Sequence, residues 1–302
     1  MLHKTLVILA AALAASAALP ARAALEVLAC EPEWGALAKE LGGEQVKVYE
    51  ATTALQDVHH IQARPSLIAA ARRADLVACT GAELEIGWLP VLTRESGNDR
   101  IRPGAPGYFE AARFVTLSGV PTRLDRREGD VHPEGDPHIQ TDPRNIASVA
   151  RALAERLAQI DSAHAALYRS RYESFAGRWQ QAIARWEKEG TPLRGLRVVE
   201  HHKAFDYLFR WLGVEVVGYL EPKPGLEPTA AHLAELLAQQ KSRPAKLVVR
   251  PSYSDARASA WFAEHAGIKA VMLPFSVGGD AASKDLFSWY DDMLGRLLEA
   301  AK

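Results

Sequence analysis

The 302-residue chain reads as an α/β protein of two Rossmann-like lobes, each a mostly parallel sheet flanked by helices, joined by a long rigid linking helix. Three observations carry that expectation. Short β-rich apolar runs alternate with amphipathic helical patterns through the first part, the alternation returns in the last part, and a long stretch of purely helical periodicity lies between them. Strands alternating with helices favour βαβ units, because a strand reaches a parallel neighbour only through a crossover.

The elements follow in order. Residues 1–23 are set aside as a secretory signal peptide: Lys4 stands near the start, an apolar run extends from Leu6 to Leu19, and "ARA" precedes Ala24. That run is too short for a membrane anchor, which needs about 20 apolar residues. Cys30 is not read as a lipid-attachment site, because Arg22 and Glu26 interrupt the apolar run that should lead into it. About 279 residues remain, enough for two lobes of ordinary size.

Residues 24–141 are assigned to the first lobe, with "LEVLAC", "VKVYEA" and "DLVACTG" as strands and "WGALAKELG" and "PSLIAAARRA" as helices. Residues 142–190 are assigned to a helical spine. Asp142 stands before Pro143 as an N-cap followed by proline at the first helical position. A second helical stretch, 162–188, would be roughly 40 Å long at 1.5 Å per residue. Residues 191–302 form the second lobe, where "LRVVE", "VEVVGYL", "KLVV" and "IKAVMLP" alternate with "YLFRWLG", "AAHLAELLAQQ" and "ASAWFAEHAG". One continuous sheet is the competing architecture.

Formal net charge is −1, and no basic stripe interleaved with aromatics appears, so nothing supports a nucleic-acid partner. Cys30 and Cys79 each end a β-rich run. First and third strands of a doubly wound sheet are commonly neighbours, which would bring the sulfurs within bridging range. A disulfide is the reading for an exported chain; buried thiols or a thiolate metal site are the alternatives.

Polar clusters fall where strands end or helices begin: "DVHHIQARPS", "GDPHIQTDP" and "EHHKAFDYL". Ligands of open α/β sheets bind at the carboxyl ends of strands. Imidazoles converging there suit zinc, which prefers tetrahedral nitrogen and sulfur sites. Manganese, favouring oxygen, would draw more carboxylates and fits less well. Each cluster alone could be a local hydrogen-bonding device; three at equivalent places are harder to set aside. His164, His232 and His265 lie in helical patterns and are read as surface or packing residues, whereas Trp88, Trp211, Trp261 and Trp289 fit amphipathic helices and are read as packing in the lobes.

With those residues in view, the chain resembles the cluster A-I solute-binding proteins of zinc and manganese ABC importers, on the zinc side of that family. The resemblance rests on a histidine six residues before Pro65-Ser66, on "RRADLVACTGAELEIGWLP", on "DPH" with Asp142-Pro143 following, and on "HKAFDYL". It implies a periplasmic protein that holds Zn2+ between two lobes and presents it to an ABC transporter permease. It also leaves room for a periplasmic zinc chaperone, and a monomer is expected. Carried over residue by residue, it implies His59, His138 and His202 as ligands. His60 and His201 are then neighbours, and Asp136 and Asp142 shape the loop and cap the helix.

The fourth ligand departs from the family pattern. The strand ends "VVRPSYS" and "MLPFSVGGD" offer Asp280 as the nearest acid, with Gly278 and Gly279 before it. Water, His60 or Glu221 are the alternatives. In place of a long His-rich loop the chain has "RREGDVHPEGD", whose His132 is read as either an accessory zinc contact or part of a solvated turn. Binding requires neutral imidazoles, so affinity is expected to fall as pH drops through the histidine range. The rival class is a secreted zinc hydrolase with Glu200, Asp136 or Asp206 as base, but no HExxH pair is present. A metal-binding adhesin or a periplasmic zinc buffer would share the same scaffold.

Overall fold

The computed structural model describes residues 24–122 and 129–302; the expected signal peptide lies outside them, as does part of the "RREGDVHPEGD" stretch. Two separate four-stranded parallel sheets are present, in the orders β2-β1-β3-β4 and β6-β5-β7-β8. The first holds β1 (Leu25–Ala29), β2 (Val46–Glu50), β3 (Leu76–Cys79) and β4 (Tyr108–Glu110); the second holds β5 (Arg197–Glu200), β6 (Glu215–Tyr219), β7 (Leu247–Pro251) and β8 (Lys269–Leu273). The single-sheet alternative is therefore excluded among the described residues. The central strands β1, β3 and β7 are nearly continuous apolar runs, as expected where helices cover both faces, while the outer strand β2 alternates.

Helices α1 (Pro32–Gly42), α2 (Pro65–Arg73) and α3 (Leu89–Ser96) serve the first sheet, and α6 (Asp206–Leu212), α7 (Ala230–Gln239), α8 (Ala256–Ala266) and α9 (Leu286–Ala301) the second. Prolines open α1, α2 and α3 near their first helical positions, where a missing N–H costs nothing. The spine is α4 (Pro143–Ile160) followed by the 25-residue α5 (Ala165–Glu189). Asp142 caps α4 by accepting from the Arg144 N–H at 2.9 Å, as its place before Pro143 suggests.

The spine packs on the second lobe through aromatic rings and on the first through α1, where Arg178 pairs with Glu40. Trp179 and Trp186 on α5 are fully buried, their rings 5.2 Å apart, and Tyr290 of α9 stacks on Trp186 at 5.0 Å. Trp179 Nε1 donates to the Pro143 carbonyl and Trp186 Nε1 to Asp291, so both indole N–H groups are satisfied inside an apolar cluster. One buried hydrophobic cluster runs through both lobes and the spine, with a smaller one around Leu220, Leu236 and Phe262 in the second lobe. Trp261 departs from expectation: it is 37% exposed and stacks on His265 rather than packing into the lobe.

Parallel pairing of β1 with β3 sets Cys30 beside Cys79, and the two form a disulfide. No described helix is long and apolar enough to cross a membrane.

Candidate metal centre

Two of the three clusters are built from the same local device. In Asp57-Val58-His59, the Asp57 Oδ1 accepts the His59 backbone N–H at 3.0 Å and lies 2.7 Å from its Nδ1. In Asp136-Pro137-His138 the same oxygen makes the same pair of contacts, at 3.0 and 2.8 Å. An aspartate two residues ahead thus folds the turn and holds the ring it presents. His202 follows β5 and is held from the neighbouring strand: Glu221, just after β6, places Oε2 2.7 Å from its Nδ1. The Gly225 N–H donates to the same Glu221 oxygen at 2.7 Å.

A carboxylate only accepts, so each Nδ1 carries the hydrogen and, in the neutral ring, each Nε2 is the acceptor; that of His59 faces His132 Nε2 at 3.2 Å. The Nε2 atoms of His138 and His202 are buried and meet no hydrogen-bond partner. Ring centroids of His59, His138 and His202 lie 5.4–5.7 Å apart. One ligand atom from each falls within 4.8 Å of the others. Buried lone pairs left unpaired are costly, and convergent neutral imidazoles tied to carboxylates through the far nitrogen are what a divalent cation requires.

The electrostatics agree. Burial penalises the charged forms of Asp57 and Asp136 and so raises both carboxyls, yet the hydrogen bonds and charge of the facing imidazoles win and hold both below the usual carboxylate range. Burial pushes the His138 imidazole below the ordinary histidine value despite Asp136. His59 is also buried, but its bond to Asp57 carries it above that value.

Other sequence-derived candidates fall elsewhere. His60 points outward, its side chain 63% exposed and its Nε2 3.9 Å from Asp57. His201 is buried beside His202, its backbone N–H continuing the ladder to the Val249 carbonyl. Glu221 reaches His202 Nδ1, so it supports the ring rather than joining the converging set. Asp280 is not brought to the imidazoles: its carboxylate pairs with Arg296 of α9 at 2.8 Å and accepts from the Ala282 N–H. It is absent from the set whose ligand atoms lie within 4.8 Å of one another. The glycines that were expected to let it swing inward instead close a turn, Gly278 N–H to the Ser283 carbonyl. His132, from the shorter loop, sets its Nε2 3.2 Å from that of His59.

Cys30, Cys79 and Glu85 also cluster, but the sulfurs are consumed in the disulfide, which removes the thiolate-site alternative. Each carboxylate considered as a general base has at least one oxygen engaged. Glu200 accepts the Ala204 N–H, Asp136 holds His138, and Asp206 accepts from the Tyr219 hydroxyl.

Sequence reasoning missed Asp57 as the support of His59, although its spacing repeats that of Asp136. Tyr207 was missed as well; its hydroxyl donates to the Asp136 carbonyl and accepts from the Ser118 N–H, both at 2.9 Å. Phe275, after β8, lays its ring edge-on against His138 at 5.7 Å, closing the inner wall; nothing local in the sequence marks it.

Comparison with known proteins gives one consistent picture. The family described as ZnuA, zinc-uptake complex component A, periplasmic, matches residues 27–300. The iron-binding protein YfeA of Yersinia pestis is 24% identical over 215 residues, covering 68% of this chain and 63% of that protein. The high-affinity zinc uptake system protein ZnuA of Bacillus subtilis (strain 168) is 21% identical over 167 residues, 55% of this chain and 52% of that one. The matched stretch therefore spans less than two thirds of either relative. A crystal structure of ZnuA has the same fold, with a TM-score of 0.74 at 19% identity over 92% of this chain and 100% of that one.

Proposed function

Because the chain belongs to the periplasmic zinc-uptake component A family, we propose that it captures Zn2+ between its lobes through His59, His138 and His202 and delivers it to an ABC permease. The observation that carries this reading is the set of three converging imidazoles, each bonded through Nδ1 to a carboxylate and each turning Nε2 inward. Neutral nitrogen donors favour zinc over manganese, which draws oxygen. Three carboxylates just outside the rings balance the cation's charge without binding it.

The remaining parts of the reading follow from that role. Residues 1–23 direct export and are removed, residues 24–141 and 191–302 are the lobes, and 142–190 the spine. The protein acts as a monomer in the periplasm, with a permease and, upstream, a zinc chaperone as partners. No catalytic role is proposed: Asp57, Asp136 and Glu221, the carboxylates that touch the three rings, each hold an imidazole through Nδ1. A buffer or adhesin on the same scaffold would bind metal identically and differ only in lacking the permease.

A competition titration with a zinc chelator tests the site. His59→Ala, His138→Ala and His202→Ala are each expected to lose at least about 10-fold in zinc affinity, since even supporting residues outside a metal site cost that much. Wild-type affinity in any of the three would remove that residue from the site.

A further inference from the structure

The chain contains the triplet Asp-x-His three times: Asp57-Val58-His59, Asp130-Val131-His132 and Asp136-Pro137-His138. In the outer two, the aspartate holds the ring through Nδ1. In the middle one that bond is open. Asp130 Oδ2 and His132 Nδ1 are each buried and each lack a partner. They are the two kinds of atom that the other triplets join.

His132 meanwhile places Nε2 3.2 Å from Nε2 of His59. Adjacent nitrogens of a tetrahedral zinc site with bonds of 2.0–2.1 Å stand about 3.3 Å apart, so this pair already has the spacing of one tetrahedral edge. The His132 ring also stands between two cavities. One, of about 130 Å³, it lines together with His138 and His202; the other, of about 440 Å³, opens outward past His59 and His60.

The loop that carries the triplet is strapped to the second lobe. The Asp130 N–H donates to the Pro224 carbonyl at 2.9 Å. A β-carbon at Gly129 would strike that same carbonyl, and one at Gly225 would strike the Asp130 carboxylate, so both approaches require glycine. Gly225 in turn donates to the Glu221 that supports His202. His132 thus rides on a segment touching both sides of the site.

We propose that His132 is the fourth metal ligand, closing over the other three from the solvent side, with Asp130 taking the Nδ1 hydrogen as Asp57 and Asp136 do for their rings. This rests on the three-histidine reading above. His132 is outside the set of ligand atoms within 4.8 Å of one another, and its ring centroid is 6.4 Å from that of His138. Its ring therefore turns inward when the cation arrives. It is the last ligand to bind and the first to leave, which makes it the residue that sets the release rate.

The test uses the full-length mature protein loaded with Zn2+ or Co2+. His132→Ala and His132→Gln are expected to speed zinc loss to a chelator by about 10-fold or more, and to change the visible d–d spectrum of the Co2+ form. Asp130→Asn should shift the dissociation rate in the same direction by less. His138→Ala runs beside them, and unchanged melting of the metal-free variants excludes misfolding as the cause. If His138→Ala loses metal while His132→Ala keeps both the wild-type dissociation rate and the wild-type Co2+ spectrum, this inference is overturned and the three-histidine site stands. Should His138→Ala also bind as wild type, the site reading falls and takes this inference with it.

Discussion

At the scale of single residues, the site depends as much on what holds the imidazoles as on the imidazoles. Asp57, Asp136 and Glu221 each fix one ring and its tautomer. Asp57→Asn, Asp136→Asn and Glu221→Gln keep the shape and remove the charge, so each is expected to lower zinc affinity about 10–100-fold while the far-UV spectrum stays unchanged. Equal affinity in chelator competition would reduce these carboxylates to loop scaffolding. Asp280→Ala, by contrast, should bind zinc as wild type, because its carboxylate already answers Arg296; a measurable loss would return it to the site. The structure brings His59, His138 and His202 together, and what pointed to them in the sequence was the family resemblance, carried by the histidine six residues before Pro65, by "DPH" and by "HKAFDYL". Asp280 was named as the nearest acid of the last loop; in the structure it pairs with Arg296 of the following helix, and no local pattern says which side of the turn it faces.

At the scale of elements, the period-2 and period-3.6 patterns located all strands but β4 and all but two helices. β4 is three residues long, too short to show a period. α3 begins inside "GWLP", whose glycine and proline read as a turn rather than a helix start. α9 went unassigned beyond its tryptophan, although Asp285 and Ser288 form a capping box at its start. The disulfide was inferable because strand order in a doubly wound sheet makes β1 and β3 neighbours. It closes a separation of 49 residues, and chain entropy alone assigns such a loop about 4 kcal/mol. The double variant Cys30→Ser/Cys79→Ser is therefore expected to lose about 2–4 kcal/mol in urea unfolding with zinc affinity retained. Stability within about 0.5 kcal/mol of wild type would mean that the strands hold the first lobe closed without it.

At the scale of the whole molecule, the lobes meet through polar contacts as well as the shared core, and one of them carries a titrating group. Glu33 on α1 accepts a hydrogen bond from Ser276, which follows β8 in the other lobe. Burial pushes the Glu33 carboxyl up to about 7, the Ser276 bond opposes that, and the acids Glu85 and Glu50 add to the rise. As pH climbs from 4.5 towards 7, an unfolded chain releases this proton while the folded protein keeps it. Folding therefore weakens across that window, by up to about 3 kcal/mol from this group. Buried Glu31 and Glu85 act in the same direction, and the buried imidazoles His138 and His201, held below the ordinary histidine value, act in the opposite one. The total slope therefore has mixed sign, but a comparison of two proteins isolates the Glu33 contribution. Glu33→Gln keeps an acceptor for Ser276 and has no proton to exchange, and it also relieves Glu31, whose carboxyl the Glu33 charge helps push up, so both effects have the same sign. Urea unfolding of the metal-free forms at pH 4.5 and pH 7.5 should show the variant gaining on wild type as pH rises. A stability gap that stays constant between the two pH values would mean that the Glu33–Ser276 contact between lobes does not sense protons.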